Sequence, residues 1–312
     1  MENLLLSFDV ILPILIAIAL GYFLRRVRLL NEESLEKLNG LSFKVFLPVF
    51  LFNNLYATDL SQAFNARLIV FSVLGVFGLF LLLMLLIPLI EKTPARRGVL
   101  VQAIFRSNFA LFGLPVALSL CGEERIGPTS LLVGIVVPVY NVLAVVALES
   151  FRGSRPDLKK ILRGIVTNPL IIASALGVAV NLLHVGVYPA VAKTLRDLGA
   201  VATPLSLIAL GGDFRFSRIR QYAKPLTLAV TGKLILSPLL LVGAGILLGF
   251  RDDTLVPILV FSGAPTAVSS YPMAQQMGGD GALAGEIVVF TSAVSVFTMF
   301  LWIFTLKQLG VM

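Results

Sequence analysis

Long apolar runs separated by short polar stretches follow one another along almost the whole chain. Because about 20 apolar residues cross the hydrocarbon core of a bilayer, these runs predict ten membrane-spanning helices. The predicted spans are 8–24, 38–56, 66–90, 98–121, 126–150, 161–183, 189–212, 222–249, 255–277 and 282–305. The second and seventh are the least apolar, since each begins with a mixed amphipathic turn. The expected fold class is therefore an all-α integral membrane protein.

The composition agrees with a membrane protein and narrows the function classes. Of the 312 residues, 57% are hydrophobic and 13% are charged, whereas about 25% of residues are charged in a soluble domain. Ten crossings leave only short connections, so no room remains for a soluble catalytic domain. The single cysteine, Cys121, and the single histidine, His184, exclude metal-ligand clusters and Cys/His nucleophile pairs by count.

The basic residues indicate the orientation of the spans. Sixteen Lys and Arg residues lie in connections after odd-numbered spans, and six lie after even-numbered spans or at the C-terminus. The positive-inside rule therefore predicts a plasma (inner) membrane protein with both termini outside the cytoplasm. This segregation explains the net charge of +8 better than a nucleic-acid surface does. Arg25, Arg26 and Arg28 follow the first run rather than precede it, so that run is expected to be a retained helix.

Several features recur at about half the length of the chain. Ile135-Val136-Val137 returns 152 residues later as Ile287-Val288-Val289, and Asn108 and Pro115 correspond to Pro265 and Pro272, both 157 residues later. These matches predict two five-helix repeats, 1–156 and 157–312. Since five is odd, the second repeat runs through the membrane in the opposite sense. Inverted repeats of this kind occur in secondary transporters, with a substrate site near the midplane.

The fourth and ninth spans contain helix-breaking residues near their centres. Asn108 precedes Gly113-Leu114-Pro115 in the fourth span, and Pro265 lies at the centre of the ninth, with Pro272 beyond it. Proline removes a backbone donor, and lipid cannot satisfy the carbonyls that this frees. A lone proline in a membrane helix is commonly tolerated by local adjustment. Paired breaks at repeat-related positions, surrounded by polar residues, favour a functional site.

If the two broken helices cross, the half-helices that begin after Pro115 and after Pro265 point their N-termini at the crossing. Each helix N-terminus carries about half a positive charge and unpaired N–H groups, an arrangement that suits an anion. The predicted substrate-binding residues are Ser107, Asn108, Gly113, Pro115, Tyr140, Asn141, Ser262, Pro265, Thr266 and Ser269.

Three basic residues lie inside predicted spans, where burial of a charge is costly. Arg106 either attracts the anion or gates the inner vestibule, or it pairs with an acid such as Asp213; Lys233 is predicted to face a cavity, and Lys44 to snorkel. The acids Asp9, Asp213 and Glu286 fall at span ends, which argues against a buried carboxylate relay. Sodium coupling, a protonated substrate or uniport remain open, and no cofactor is expected.

At these residues the sequence resembles the auxin efflux carrier family, which includes plant PIN auxin transporters and bacterial permeases for dicarboxylates such as malate and malonate. Asn108 through Pro115 is similar to the crossover of that family's fourth helix, and Gly263-Ala264-Pro265 with Pro272 to that of its ninth. Asn168-Pro169 is similar as well, and the resemblance covers nearly the whole chain.

The resemblance implies a five-plus-five inverted repeat with crossed helices 4 and 9. Helices 1, 2, 6 and 7 would form a scaffold that also makes a homodimer, and helices 3–5 and 8–10 a mobile transport domain that works as an elevator. It also implies organic-anion transport, with Asn108 as a substrate contact. The connection between spans five and six is short here, so control through a long cytoplasmic loop is not implied.

Rival functions come from three classes. A sodium-coupled bile-acid-type symporter shares the expected fold. A channel explains the repeat less well than a carrier does. An intramembrane enzyme would need a reactive constellation, but Asp213 and Asp280 lie at span ends, and the HExxH, GxSxG and aspartate-rich diphosphate motifs are all missing.

Overall fold

The computed structural model describes residues 2–57, 65–152 and 158–312. The predicted repeat boundary at 156–157 lies outside these ranges, as do Gly153 and Arg155. Every regular element within them is helical. The α-helices are α1 (Glu2–Arg26), α2 (Glu32–Leu41), α3 (Leu47–Tyr56), α4 (Ala66–Ile90), α5 (Pro94–Phe105), α6 (Leu114–Cys121), α7 (Gly127–Ser150), α8 (Leu158–Thr167), α9 (Pro169–Leu182), α10 (Pro189–Asp213), α11 (Phe216–Thr231), α12 (Ser237–Leu247), α13 (Asp252–Gly263), α14 (Ser270–Gln276) and α15 (Gly281–Gln308).

Four described helical segments are long and apolar enough to cross a membrane by themselves. They are Ala66–Ile90, Gly127–Ser150, Phe216–Leu247 and Gly281–Gln308. Phe109–Cys121 and Pro169–Leu182 are apolar but shorter. The chain is thus an all-helical, multi-pass membrane protein. Several predicted spans are divided in the structure, because their helices stop and restart within the predicted range.

Short polar side chains cap the starts of several helices. The side-chain oxygen of Asn65 accepts the N–H of Leu68 at 3.0 Å at the start of α4, and Asp280 does the same for Leu283 at 3.0 Å at the start of α15. Such N-caps satisfy backbone donors that the first helical turn leaves unpaired. Asn168 caps α9 through Leu170 at 2.9 Å, which explains why the predicted sixth span is interrupted there.

Three π-helical turns occur in the described chain, and a proline follows each of them. The turns are Ser42–Phe46, Phe109–Gly113 and Gly232–Leu236, and the prolines are Pro48, Pro115 and Pro238. Proline cannot donate to the carbonyl four residues earlier. The wider turn absorbs this defect, since the residue before each proline donates to a carbonyl five residues back, as Leu114 does to Phe109.

Two helix pairs stand out for their close packing. α1 lies against α10, and α9 lies against α3. At the first contact a side-chain carbon on Gly21 would overlap the carbonyl of Ile208, and one on Gly211 would overlap the carbonyl of Ile18. The reciprocal glycines let the two backbones touch, a common device for association of membrane helices.

The broken helices are the most buried part of the described chain. Residues 98–105 of α5 and 255–263 of α13 are buried throughout. By contrast, α4 and α12 expose large apolar side chains such as Leu74 and Leu247. Such faces suit an apolar environment such as lipid, so α4 and α12 lie at the periphery and the helix breaks lie in the protein interior.

Candidate functional site

The two broken helices cross at their non-helical segments, Arg106–Asn108 and Ala264–Ser269. The backbone N–H of Asn108 donates to the carbonyl of Pro265 at 2.8 Å, and Ser107 and Thr266 form an isolated antiparallel bridge. The Thr266 hydroxyl donates to the carbonyl of Ala103 at 2.8 Å. Backbone groups that the breaks leave unpaired therefore find partners across the crossing, as a buried site requires.

Lys233 joins the crossing from the π-turn that precedes α12. Its ammonium group is fully buried and donates to the carbonyl of Ser262 at 2.9 Å and to the hydroxyl of Ser107. Ser107 in turn donates to the carbonyl of Phe261, which also accepts the Tyr140 hydroxyl at 2.9 Å. One cation thus contacts both broken helices, and all its partners are neutral.

Arg106 lies at the other side of the same crossing and is only 3% exposed. Its guanidinium donates to the side-chain oxygen of Asn141 at 2.6 Å and to the hydroxyl of Ser269 at 2.7 Å, and it contacts the sulfur of Met273 at 3.0 Å. The suggested pair with Asp213 is wrong, because that carboxylate lies at the end of α10 and pairs with Arg218 at 3.4 Å. Arg106 keeps donors beyond these bonds.

A small cavity of about 50 Å³ lies beside the crossing. Its wall includes Arg106, Ser107, Asn108, Tyr140 and Ser269, together with Phe50 of α3 and Thr203 of α10, and among the described residues no acid lines it. The side-chain nitrogen of Asn108 is buried without a hydrogen-bond partner. A buried amide that lacks a partner is costly, and here it offers a donor to a guest.

A second, larger space of about 730 Å³ lies next to the cavity, towards the turn between α6 and α7. The two spaces share Phe50, Ala110 and Leu111 in their linings. We call the larger space the vestibule. The vestibule and the cavity are therefore adjacent, and these three side chains lie between them.

The structure gathers most of the predicted site residues at one place. Ten of them lie at the crossing or contact a residue that does: Arg106, Ser107, Asn108, Tyr140, Asn141, Lys233, Ser262, Pro265, Thr266 and Ser269. Gly113 and Pro115 lie apart from the unwound segment, in the helix that restarts at Phe109. The fourth-span break is therefore earlier than predicted, because the π-turn accommodates Pro115.

The sequence does not predict some features of the site and its surroundings. Phe50, Leu111 and Thr203 carry no chemical signal in an apolar chain, since only their position makes them wall residues. Thr291 of α15 accepts the backbone N–H of Thr266 at 3.2 Å, a tertiary contact that no local pattern announces. Glu286, expected at a span end, is buried within α15, and one of its carboxyl oxygens has no hydrogen-bond partner.

Comparison with known proteins finds one matching family and relatives that are named as transporters. The model of the family described as "Membrane transport protein" matches residues 6–155 and 154–303. An "Uncharacterized transporter" of Methanothermobacter thermautotrophicus is 25% identical over 310 residues, 95% of this chain and 97% of that protein. A "Putative malonate transporter" of Rhizobium meliloti is 24% identical over 300 residues, 93% of this chain and 92% of that protein.

Proposed function

Because the chain belongs to the membrane transport protein family, the auxin efflux carrier family that its motifs resemble, we propose that it is a secondary transporter of small organic anions such as carboxylates. The observation that carries the proposal is the crossing of two broken helices, with Arg106 and the unpartnered amide of Asn108 beside one cavity. Such crossings are the substrate sites of several transporter folds.

The chemistry of the cavity favours an anion over a cation. The guanidinium of Arg106 and the side-chain nitrogen of Asn108 are donors, and in the part of the chain that the structure describes no carboxylate lines the wall to attract a positive guest. A guanidinium binds carboxylates through charge-assisted hydrogen bonds. The name of the Rhizobium meliloti relative, which covers almost the full chain, supports a small dicarboxylate as the first substrate to test.

The pattern of helices supports ten spans in two inverted repeats. The segments that begin at Glu2, Glu32, Ala66, Pro94 and Gly127 recur, in order, at Leu158, Pro189, Phe216, Asp252 and Gly281, at separations of 150 to 158 residues. Each fourth segment is broken, and each third segment is long and apolar. A two-fold relation between the repeats requires each contact between helices of different repeats to have an equivalent. The contact of α1 with α10 and the contact of α9 with α3 are such an equivalent pair.

The position of the cavity supports an elevator mechanism. Its wall combines Phe50 of α3 and Thr203 of α10 with the crossing segments. We assign α1–α3 and α8–α10 to a scaffold, which also forms a homodimer, and α4–α7 and α11–α15 to the moving part. Sliding of the crossing past Phe50 and Thr203 then exposes the substrate to the two faces of the membrane in turn. The membrane is the plasma (inner) membrane, with both termini outside the cytoplasm.

Uptake into proteoliposomes tests the proposal. We expect saturable flux of malonate or a related carboxylate, and its loss in Asn108→Ala, because the amide donor disappears while the backbone bond to Pro265 stays. Ser174→Ala is the matched control, since that buried serine bonds only within α9, to the carbonyl of Leu170 at 2.7 Å. Varying pH, sodium and voltage separately identifies the coupling ion, Na⁺ or H⁺, or uniport. Unchanged flux in Asn108→Ala contradicts the site.

A further inference from the structure

The turn between α6 and α7 places two carboxylates at the mouth of the vestibule. Gly122 ends α6 in a left-handed conformation with φ of 78°, and its N–H bonds to the carbonyl of Leu118 at 2.8 Å. The chain reverses there, and Glu123 and Glu124 follow in a short 3₁₀ turn, both exposed and both lining the vestibule. We call these two residues the acidic rim.

The cation nearest in sequence is directed elsewhere. Arg125 does not line the vestibule; its guanidinium contacts the carboxylate of Asp253 at 3.2 Å. The N-terminus of α7, at Gly127 and Pro128, lines the vestibule and contributes about half a positive charge. Two carboxylates outweigh this, so the mouth keeps a net negative charge.

The rim also has an ordinary structural role, since acids just before a helix stabilise its N-terminus. That role does not remove their field from the space they border. A cleft with walls of low dielectric constant concentrates the field of its rim charges. Here the cleft borders, at Phe50, Ala110 and Leu111, a cavity with a buried, unpartnered amide on Asn108.

We propose that the acidic rim sets the charge selectivity of this entrance, so that it disfavours anions in proportion to their charge and admits monoanions over dianions. This rests on the proposed function, because the cavity is taken to hold an anion. The consequence is that a dicarboxylate exchanges through this face more slowly than a monocarboxylate of similar size does.

A substrate-independent experiment measures the rim directly. Cysteine is placed in the vestibule as Ser130→Cys, with Cys121→Ser to remove the native thiol. The introduced thiol is modified with two methanethiosulfonate reagents, one carrying a cationic trimethylammonium group and the other an anionic sulfonate. Each rate is divided by the rate of the same reagent with a free thiol, and the two normalised rates are compared as a ratio. We expect the cationic reagent to be favoured about tenfold or more at low ionic strength, because the two carboxylates attract it and repel the anionic reagent.

Neutralising the rim with Glu123→Gln and Glu124→Gln should bring this ratio close to one. Glu33→Gln with Glu36→Gln is the matched control, because it removes the same charge from a different surface, beside Lys37 and Gln276. High salt should erase the ratio in the protein with an intact rim, since charges are screened within about 3 Å at 1 M. This second measurement needs no rim variant to fold.

A ratio that rim neutralisation and salt both leave unchanged overturns the proposal. A flux measurement then distinguishes failure of the rim proposal from failure of the proposed anion transport. With the rim neutralised, the factor gained by malonate should be about the square of that gained by its monomethyl ester, because the interaction energy scales with charge. Equal gains overturn the rim's role in selectivity. If the unmodified protein transports neither compound, the proposed anion transport is wrong. The ratio of reagent rates still shows whether the rim attracts cations and repels anions.

Discussion

The backbone N–H of Asn108 donates to the carbonyl of Pro265 at 2.8 Å, and this bond joins two helices that each break in the protein interior. The two residues are 157 positions apart, the separation at which other features of the sequence recur. One hydrogen bond thus links the predicted repeats at the point where a substrate is proposed to bind. The side chains around it supply donors.

Arg106 is the cation that the proposed substrate meets. Arg106→Gln removes the charge while keeping a polar side chain, and we expect the substrate concentration at half-maximal flux to rise about tenfold or more. A hydrogen bond to a charged group contributes about 1.5–3 kcal/mol, and 1.4 kcal/mol corresponds to a factor of ten. The measurement is concentration-dependent uptake in proteoliposomes. Arg97→Gln is the control, because Arg97 only donates to the carbonyl of Glu91 at 2.8 Å, outside the site. An unchanged half-saturation concentration would remove Arg106 from substrate binding.

Lys233 holds the unwound segments together, so its loss should loosen them. Lys233→Met keeps the length of the side chain but removes the donors to Ser262 and Ser107. We expect faster amide exchange at residues 262–269, measured by hydrogen–deuterium exchange, with little change in α1 and α10. Lys37→Met provides the comparison, since Lys37 is exposed and pairs with Glu33. Equal protection of 262–269 in both variants is the contrary result.

The close approach of α1 and α10 should make Gly211 intolerant of any side chain. In Gly211→Ala the new methyl group overlaps the carbonyl of Ile18, so the helices must separate. Overpacking of this kind costs about 1–3 kcal/mol, and we expect a lower melting temperature in detergent. Gly243→Ala is the matched control, because nothing lies within 4 Å of that position. If both variants melt alike, the α1–α10 contact is not close.

The distribution of basic residues predicts that the C-terminus lies outside the cytoplasm. A reporter enzyme that is active only outside the cytoplasm, fused after Met312, should therefore be active in cells. The same reporter fused after Arg220, in the connection between the seventh and eighth predicted spans, should be inactive. The reverse pattern would invert the assigned orientation, and with it the face on which the acidic rim lies.

Much of the site could be predicted because polar residues are rare in this chain. In an apolar span, Asn108, Ser262 and Pro265 cannot be explained by packing, so the sequence alone indicates the crossing. The partner of Arg106 could not be predicted in this way. Asn141 and Ser269 reach it from distant parts of the chain, and the charge-based alternative, Asp213, is paired with Arg218 instead.

The extent of the breaks was also hidden from the sequence. The residue types of Gly113 and Pro115 predict an interruption of the fourth span at these positions, yet the helix continues through both. Proline predicts a defect in hydrogen bonding but not how the chain absorbs it, and here a π-turn does so. The cavity wall from Phe50 and Thr203 depends on how the helices pack, which apolar patterns leave undetermined.

The central claim is that a carboxylate binds at the crossing of the two broken helices. The most direct test is an electron cryo-microscopy map of the protein in lipid nanodiscs with saturating malonate, compared with maps of the malonate-free protein and of Asn108→Ala. We expect malonate density within hydrogen-bonding distance of the Asn108 amide and the Arg106 guanidinium, and its loss in Asn108→Ala. Malonate density elsewhere, with the crossing empty in protein that transports it, would contradict the account.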